Sequence, residues 1–303
     1  MKRFFTSFCV LCMFSTVLLA EPLRVATLHP LLTELAQTLG GEQVEVLSLL
    51  PPNANPHSFD PKPSELTQLQ QVNLVLAMGK NLEPYLDRIK ANLPAGVNIY
   101  EVGRPVPSVV IDPRNATFAC CPRHMHGAVD PHWWQSPQAM RRATRHLGKE
   151  LEKLLPEHKA VIRERTRAHM DVLAELDQWI EGELNRVPKR QRILVTAHAA
   201  FGYFCDVYGF QALPVKGLAG DQSATPAELG ESIEILKENK IRAVFPEIGG
   251  RNHNIHALQE ATGIKLGEPL LADNINSEDT SYVDMMKHNT NSIVAALGEK
   301  ETP

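Results

Sequence analysis

Short strand-like apolar runs alternate with helix-like segments twice along this chain, and one long helical stretch separates the two series. Residues 23–28 (LRVATL), 44–50, 72–77 and 97–102 read as strands, with helical periodicity over 30–39, 64–70 and 82–93 between them. Gly40-Gly41 stops the first of these helices, and Ser64 caps the second. The series resumes with strands at 192–196, 211–215, 243–246 and 265–271 and helices at 199–208, 225–239, 254–262 and 281–297. Strands separated by helices, with few hairpin signals, pair in parallel and are covered by helices on both faces. The expected fold class is therefore α/β, with two similar lobes each built on a parallel sheet.

The stretch 136–187 is almost wholly helical and is interrupted at Pro156. Proline is accepted in a first helical turn, so a new helix is expected over 156–187. At 1.5 Å per residue it would run roughly 45 Å, far enough to pass a whole lobe. A coiled-coil partner helix is the alternative, but Val161, Met170, Leu173, Leu176 and Ile180 do not keep a strict heptad. The expected organisation is a signal peptide over 1–20, an N-terminal lobe over 21–155, a linking helix over 156–187 and a C-terminal lobe over 188–303.

The signal reading rests on Lys2 and Arg3, an uncharged run over 4–20, and the Glu21-Pro22 break after the small Ala20. An uncleaved anchor is the alternative, although the run is shorter than the ~20 residues that span a bilayer. Cys12 follows Leu11, where a lipidation signal has a small residue, so a lipoprotein is not expected. No other long apolar run exists, which excludes a polytopic membrane protein. Lys plus Arg number 31 against 35 Asp plus Glu, so no basic excess points to nucleic acid. Cleavage leaves Cys120, Cys121 and Cys205 of the five cysteines, an odd number that leaves at least one unpaired. Cys205 lies on an apolar helical pattern and reads as a small buried hydrophobe.

Of the twelve histidines, three occupy telling places. His57 lies in a proline-rich loop after the second strand, His132 lies in DPHWW ahead of a helix starting near Pro137, and His198 directly follows a strand in LVTAH. Asp273, in LLAD, also directly follows a strand. Parallel α/β sheets bind ligands outside the carboxyl ends of their strands. Two of these residues come from each lobe, so a shared ion would sit in the cleft. Three imidazoles and a carboxylate suit tetrahedral Zn²⁺. Mn²⁺ or Fe²⁺ would fit if Asp273 bound through both oxygens, and the lack of thiolate disfavours copper(I). Spacing alone does not decide the matter: no HExxH is present, and the four positions lie 75, 66 and 75 residues apart. Taken singly, His198 could cap its helix, and Asp130 or Asp273 could be turn residues.

At these positions the chain resembles the metal-binding solute-binding proteins of ABC importers, the cluster A-I group that captures zinc or manganese. NPHSFDPKPSE resembles their D-P-H-x-[FY]-x-P-x-P-S motif, VDPHWWQSPQ their D-P-H-x-W-x-[SD]-P motif, and LVTAHAAFGYF their T-x-H-x-A-F-x-Y-F motif. LLADNIN followed by YVDMMKHNTNSIVAAL resembles their last ligand segment and final helix. The resemblance implies two (β/α)₄ lobes bridged by a rigid helix, limited closure, and a metal held by His57, His132, His198 and Asp273. It further implies a monomeric periplasmic receptor that performs no chemistry and hands a divalent metal to an ABC permease. Asn55 stands where the family usually has Asp, and Ala199 where Asp is common, neither being a ligand position. Manganese-dedicated members often carry Glu at the third ligand position; His198 there tilts the reading to zinc, as does the Irving–Williams order for nitrogen-rich sets.

Zinc importers of the family often have a His-rich acidic loop before the second ligand. Here CCPRHMHGAVDPH offers Cys120, Cys121, His124 and His126 as an auxiliary capture site, or it is an ordinary loop. Glu247, ending AVFPE, resembles a family residue that supports the site. His29 is expected near the cleft, behind the ligands. His253, His256 and His288 read as exposed helical residues, and Arg141, Arg142, Arg145 and the run 159–167 as solvated helix faces. A zinc hydrolase would need an open coordination position and a general base, and neither these four donors nor any G-x-S-x-G elbow supplies them. An adhesin or interaction module is a third reading, without an obvious repeat to carry it.

Overall fold

The computed structural model describes residues 21–51, 54–110, 128–215, 225–273, 275 and 280–299. The signal segment and the group Cys120, Cys121, His124 and His126 lie outside the described residues. The N-terminal half carries β1 (Leu23–Thr27), β2 (Val44–Ser48), β3 (Leu74–Ala77) and β4 (Asn98–Glu101), all parallel, in the order β2-β1-β3-β4. Val25 faces Val46 on one side and Leu74 on the other. Every residue of β3 is buried, as expected of a central strand covered on both faces. The crossovers are α1 (Pro30–Gly40), α2 (Pro63–Gln68) and α3 (Leu86–Ala91).

The C-terminal half repeats the plan. β5 (Ile193–Thr196) pairs parallel with β6 (Gln211–Pro214), and β7 (Ala243–Val244) with β8 (Lys265–Leu266). A parallel bridge from Thr196 to Phe245, backed by Phe245 N–H donating to the Val195 carbonyl at 2.9 Å, joins the two pairs. The resulting order, β6-β5-β7-β8, matches that of the first half. The last strand is shorter than the sequence predicts: Gly267 N–H still donates to the Val244 carbonyl at 2.9 Å, but Pro269, which has no N–H, interrupts the ladder. Pairing resumes one residue later, where Leu270 N–H donates to the Pro246 carbonyl and Ile248 N–H to that of Leu270, both at 2.8 Å.

Between the halves, α4 (Pro137–Leu154) is capped by Ser136, whose hydroxyl accepts from Ala139 N–H. Pro156–His158 forms a 3₁₀ turn, and α5 (Lys159–Leu184) follows with 26 residues, roughly 39 Å at the standard rise. Pro156 thus opens the long helix through a tighter turn. Gly148 lies against Thr166, where a Cβ would come within 2.4 Å of the threonine hydroxyl, so α4 and α5 pack closely. The long helix grips both halves: Arg165 donates to the Gly40 carbonyl at 2.7 Å, and Asp177 accepts from Tyr208 at 2.7 Å. Tyr208 ends α6 (Gly202–Tyr208); α7 (Pro226–Glu238), α8 (His253–Thr262) and α9 (Tyr282–Leu297) complete the chain.

The outer face of each sheet has its own apolar core, with Leu28, Leu69 and Ile89 in one and Val195, Leu213 and Leu258 in the other. The inner faces do not. Val25, Leu32, Trp133, Trp134, Leu173, Phe204, Phe245 and Met285 belong to one continuous core running through both halves and the long helix. Among the described residues no helix is long and apolar enough to cross a membrane.

Candidate metal centre

The loop after β2 turns at Asn55-Pro56-His57, where the Asn55 side-chain oxygen accepts from His57 N–H at 2.8 Å. The same device recurs at Asp130-Pro131-His132, where the carboxylate accepts from His132 N–H at 2.9 Å. A side chain capturing the amide two residues on is a self-contained turn. Asn55, the departure from the family's Asp, therefore keeps the turn. The two differ at the ring: Asp130 also meets His132 Nδ1 at 2.7 Å, which turns Nε2 toward the seam.

His198 follows β5 by two residues. Its carbonyl accepts from the Thr196 hydroxyl and Ala200 N–H, at 2.8 and 2.9 Å. This turn delays α6 to Gly202, three residues after the start the sequence predicts. Glu247, past β7, holds His198 twice, at its N–H (3.0 Å) and at Nδ1 (2.6 Å). Asn252 in turn braces the Glu247 backbone through two bonds of 2.8 Å. Asp273 follows the Leu270 bridge.

His57, His132, His198 and Asp273 converge, each offering one donor atom, and those atoms all lie within 4.8 Å of one another. His57 Nε2 is 3.1 Å from His132 Nε2 and 3.6 Å from Asp273 Oδ1. Asp273 Oδ1 is 3.2 Å from both His132 Nε2 and His198 Nε2. A tetrahedron with metal–ligand bonds of about 2.0–2.1 Å has edges of about 3.3 Å. Four of the six edges of the donor cage thus lie near those of a Zn²⁺ shell. The side chains of His132 and His198 are 0% and 4% exposed, those of His57 and Asp273 8% and 16%, so solvent reaches the cage from the latter pair.

Charge is arranged around a cation. Burial opposes protonation of His198, but Asp273 and Glu247 outweigh it and lift its pKa well above the ordinary imidazole value. His132 shifts the same way, burial being outweighed by Asp130 and Asp273. Burial would raise the Asp273 carboxyl, yet the facing imidazoles, His198 first, hold it well below the usual range. His57, without a carboxylate behind its ring, is lowered by burial.

Several neighbours were not evident from sequence. Asp130 read as a turn residue, and the D-x-H spacing was the available signal for its second task. Trp134 and Gln135 were invisible: Trp134 Nε1 donates to the Ala272 carbonyl at 2.9 Å, and Gln135 to those of Leu271 and Ala272 at 3.0 and 2.8 Å. His29 is fully buried behind the cage, and burial lowers its pKa to about 4. His253, His256 and His288 are exposed as expected. Cys205 is buried and free, and burial pushes its thiol up.

Two linked α/β lobes with an imidazole-rich cage at their seam define a receptor for a divalent transition metal. The model of the family ZnuA, zinc-uptake complex component A periplasmic, matches residues 25–296, and the chain belongs to this family. It is a solute-binding transport family, not a family of enzymes. The manganese-binding lipoprotein MntA of Bacillus subtilis is 28% identical over 285 residues, 91% of this chain and 90% of that one. The iron-binding protein YfeA of Yersinia pestis is 26% identical over 283 residues, 92% and 88% of the two chains. The solved periplasmic zinc binding protein TroA from Treponema pallidum superposes with a TM-score of 0.82 at 25% identity, covering 92% of this chain and 100% of its own.

Proposed function

We propose that the protein captures Zn²⁺ through His57 Nε2, His132 Nε2, His198 Nε2 and Asp273 Oδ1, in the periplasm, and delivers it as a monomer to an ABC permease. In this reading 1–20 is the export signal, 21–155 and 188–303 are the lobes, and 156–187 links them. The carrying observation is the cage itself, four of whose edges, at 3.1–3.6 Å, approach those of a zinc tetrahedron. Manganese or iron(II) is the second reading, supported by relatives named for those metals and by a carboxylate able to offer two oxygens.

Loading must displace protons, because an imidazole that binds metal is neutral. His132 and His198 hold protons above the ordinary imidazole range. Affinity is therefore expected to fall as pH drops and to keep rising above pH ~6.5, where an unperturbed histidine has already titrated. Calorimetric titration with zinc, manganese and iron(II), at neutral pH in two buffers of different ionisation enthalpy, tests both points. The expected result is tightest binding of zinc with a buffer-dependent enthalpy. Absence of zinc binding sinks the proposal, and a buffer-independent enthalpy sinks the proton displacement.

Glu247→Gln removes the carboxylate behind His198 Nδ1. Loss of such a partner typically costs ten- to a hundredfold in metal affinity, and a drop in that range is expected in competition with a chromophoric chelator. An affinity equal to wild type would remove Glu247 from the site.

A further inference from the structure

His29 is an unusual helix cap. The residue before α1 would ordinarily be Ser, Thr, Asp or Asn, whose short oxygen accepts a first-turn amide. Here the imidazole does so, with Nδ1 accepting from Leu31 N–H at 3.2 Å. A capping hydroxyl ends there, but an imidazole carries a second nitrogen on its far side. His29 Nε2 lies 2.7 Å from the main-chain carbonyl of Asp273, 244 residues away in the other lobe. Since Nδ1 accepts, the ring hydrogen sits on Nε2, which donates to that carbonyl. The ring is 0% exposed and rests 5.2 Å from the Trp134 ring.

His29 completes a row. The carbonyls of Leu271, Ala272 and Asp273 each accept from a side chain of the N-terminal lobe, from Gln135, from Trp134 and Gln135, and from His29 respectively. The first two fix the approach to Asp273; only the third acts on the residue that carries the carboxylate.

We propose that His29 is a positioning residue: by holding the Asp273 carbonyl across the seam it aims that carboxylate at the three imidazoles and prolongs retention of the bound metal. This rests on the reading of His57, His132, His198 and Asp273 as the ligands. His29 is not itself a fifth donor, because its Nε2 is already committed to the carbonyl. A site held by a locked supporting group keeps its geometry within the tolerance that metal coordination demands.

The test separates the two tasks of the ring. His29→Asn keeps a good cap but is too short to reach Asp273, whereas His29→Gln restores a longer amide donor. Zinc release is followed by stopped-flow mixing with a chelator, and coordination by the visible absorption of the Co²⁺-loaded protein. The Asn variant is expected to melt near wild type without metal, to release zinc about tenfold faster and to show an altered Co²⁺ band; Gln should recover part of both. Wild-type release and spectrum in a folded Asn variant overturn the proposal, as does a lower melting temperature with unchanged release. Should the Asn variant not fold, the Gln variant decides: release and spectrum nearer wild type than those of His29→Ala support the proposal, and values equal to His29→Ala overturn it. If wild type itself holds neither zinc nor Co²⁺, the ligand assignment falls, and the inference falls with it.

Discussion

His132→Ala is expected to weaken zinc binding by about a hundred- to a thousandfold while the protein stays folded. Structural zinc sites are worth roughly 10–16 kcal/mol, so one of four donors carries about 2.5–4 kcal/mol. His132 is also the donor best held in place, fully buried and fixed by Asp130 at both its amide and its ring. Among the described residues, the nearby His29 is engaged with the Asp273 carbonyl and Glu247 with His198, so neither is poised to replace it. The fold should survive, because Asp130 keeps its turn through the backbone amide of residue 132. Competition calorimetry with a chelator of known affinity measures the loss. Wild-type affinity in the folded variant would refute the ligand set. His57→Ala should shift affinity in the same direction.

Trp134→Ala is expected to cost the metal-free protein about 3–5 kcal/mol, the usual range for deleting a fully buried large aromatic side chain. The indole is 0% exposed and lies in the core shared by both halves. It donates to the Ala272 carbonyl and packs at 5.2 Å from His29 and 5.1 Å from His132. Its removal leaves a cavity in the seam and takes one of two donors from the Ala272 carbonyl, which keeps Gln135. Urea unfolding followed by tryptophan fluorescence and circular dichroism reads the change. A loss under about 1 kcal/mol would show that the seam repacks and that the shared core is weaker than its burial implies.

The alternation of strand and helix made the α/β class readable, because helix crossovers leave parallel strands no other way to pair. The same reading overran at 265–271, where apolar composition suggests one strand and Pro269, with no N–H to give, splits it. It also began α6 at residue 199, since the turn around the His198 carbonyl depends on Thr196 and Ala200 contacts that periodicity does not encode. The four cage residues read as chemistry at strand ends with a shared ion expected in the cleft; the distances at which their donor atoms meet are not legible, because they depend on pairs separated by 66 to 216 positions. Asp130 and Glu247 differ instructively. The former is two residues from its histidine and leaves a local signature, while the latter is 49 residues from its own and was found only through resemblance. The row of carbonyls gripped by His29, Trp134 and Gln135 leaves no trace in sequence, because backbone acceptors have no residue identity.

The single inner core running through both halves constrains how the receptor can announce its load. Swinging the halves apart like a clam would tear Trp133, Trp134 and Phe204 out of one packed interior and bring water onto them. If that interior stays packed, empty and loaded molecules present nearly the same outline. A permease that tells them apart would then have to read the lip rather than the shape: the charge and stiffness of the surface beside His57 and Asp273, where an arriving dication would change the local field.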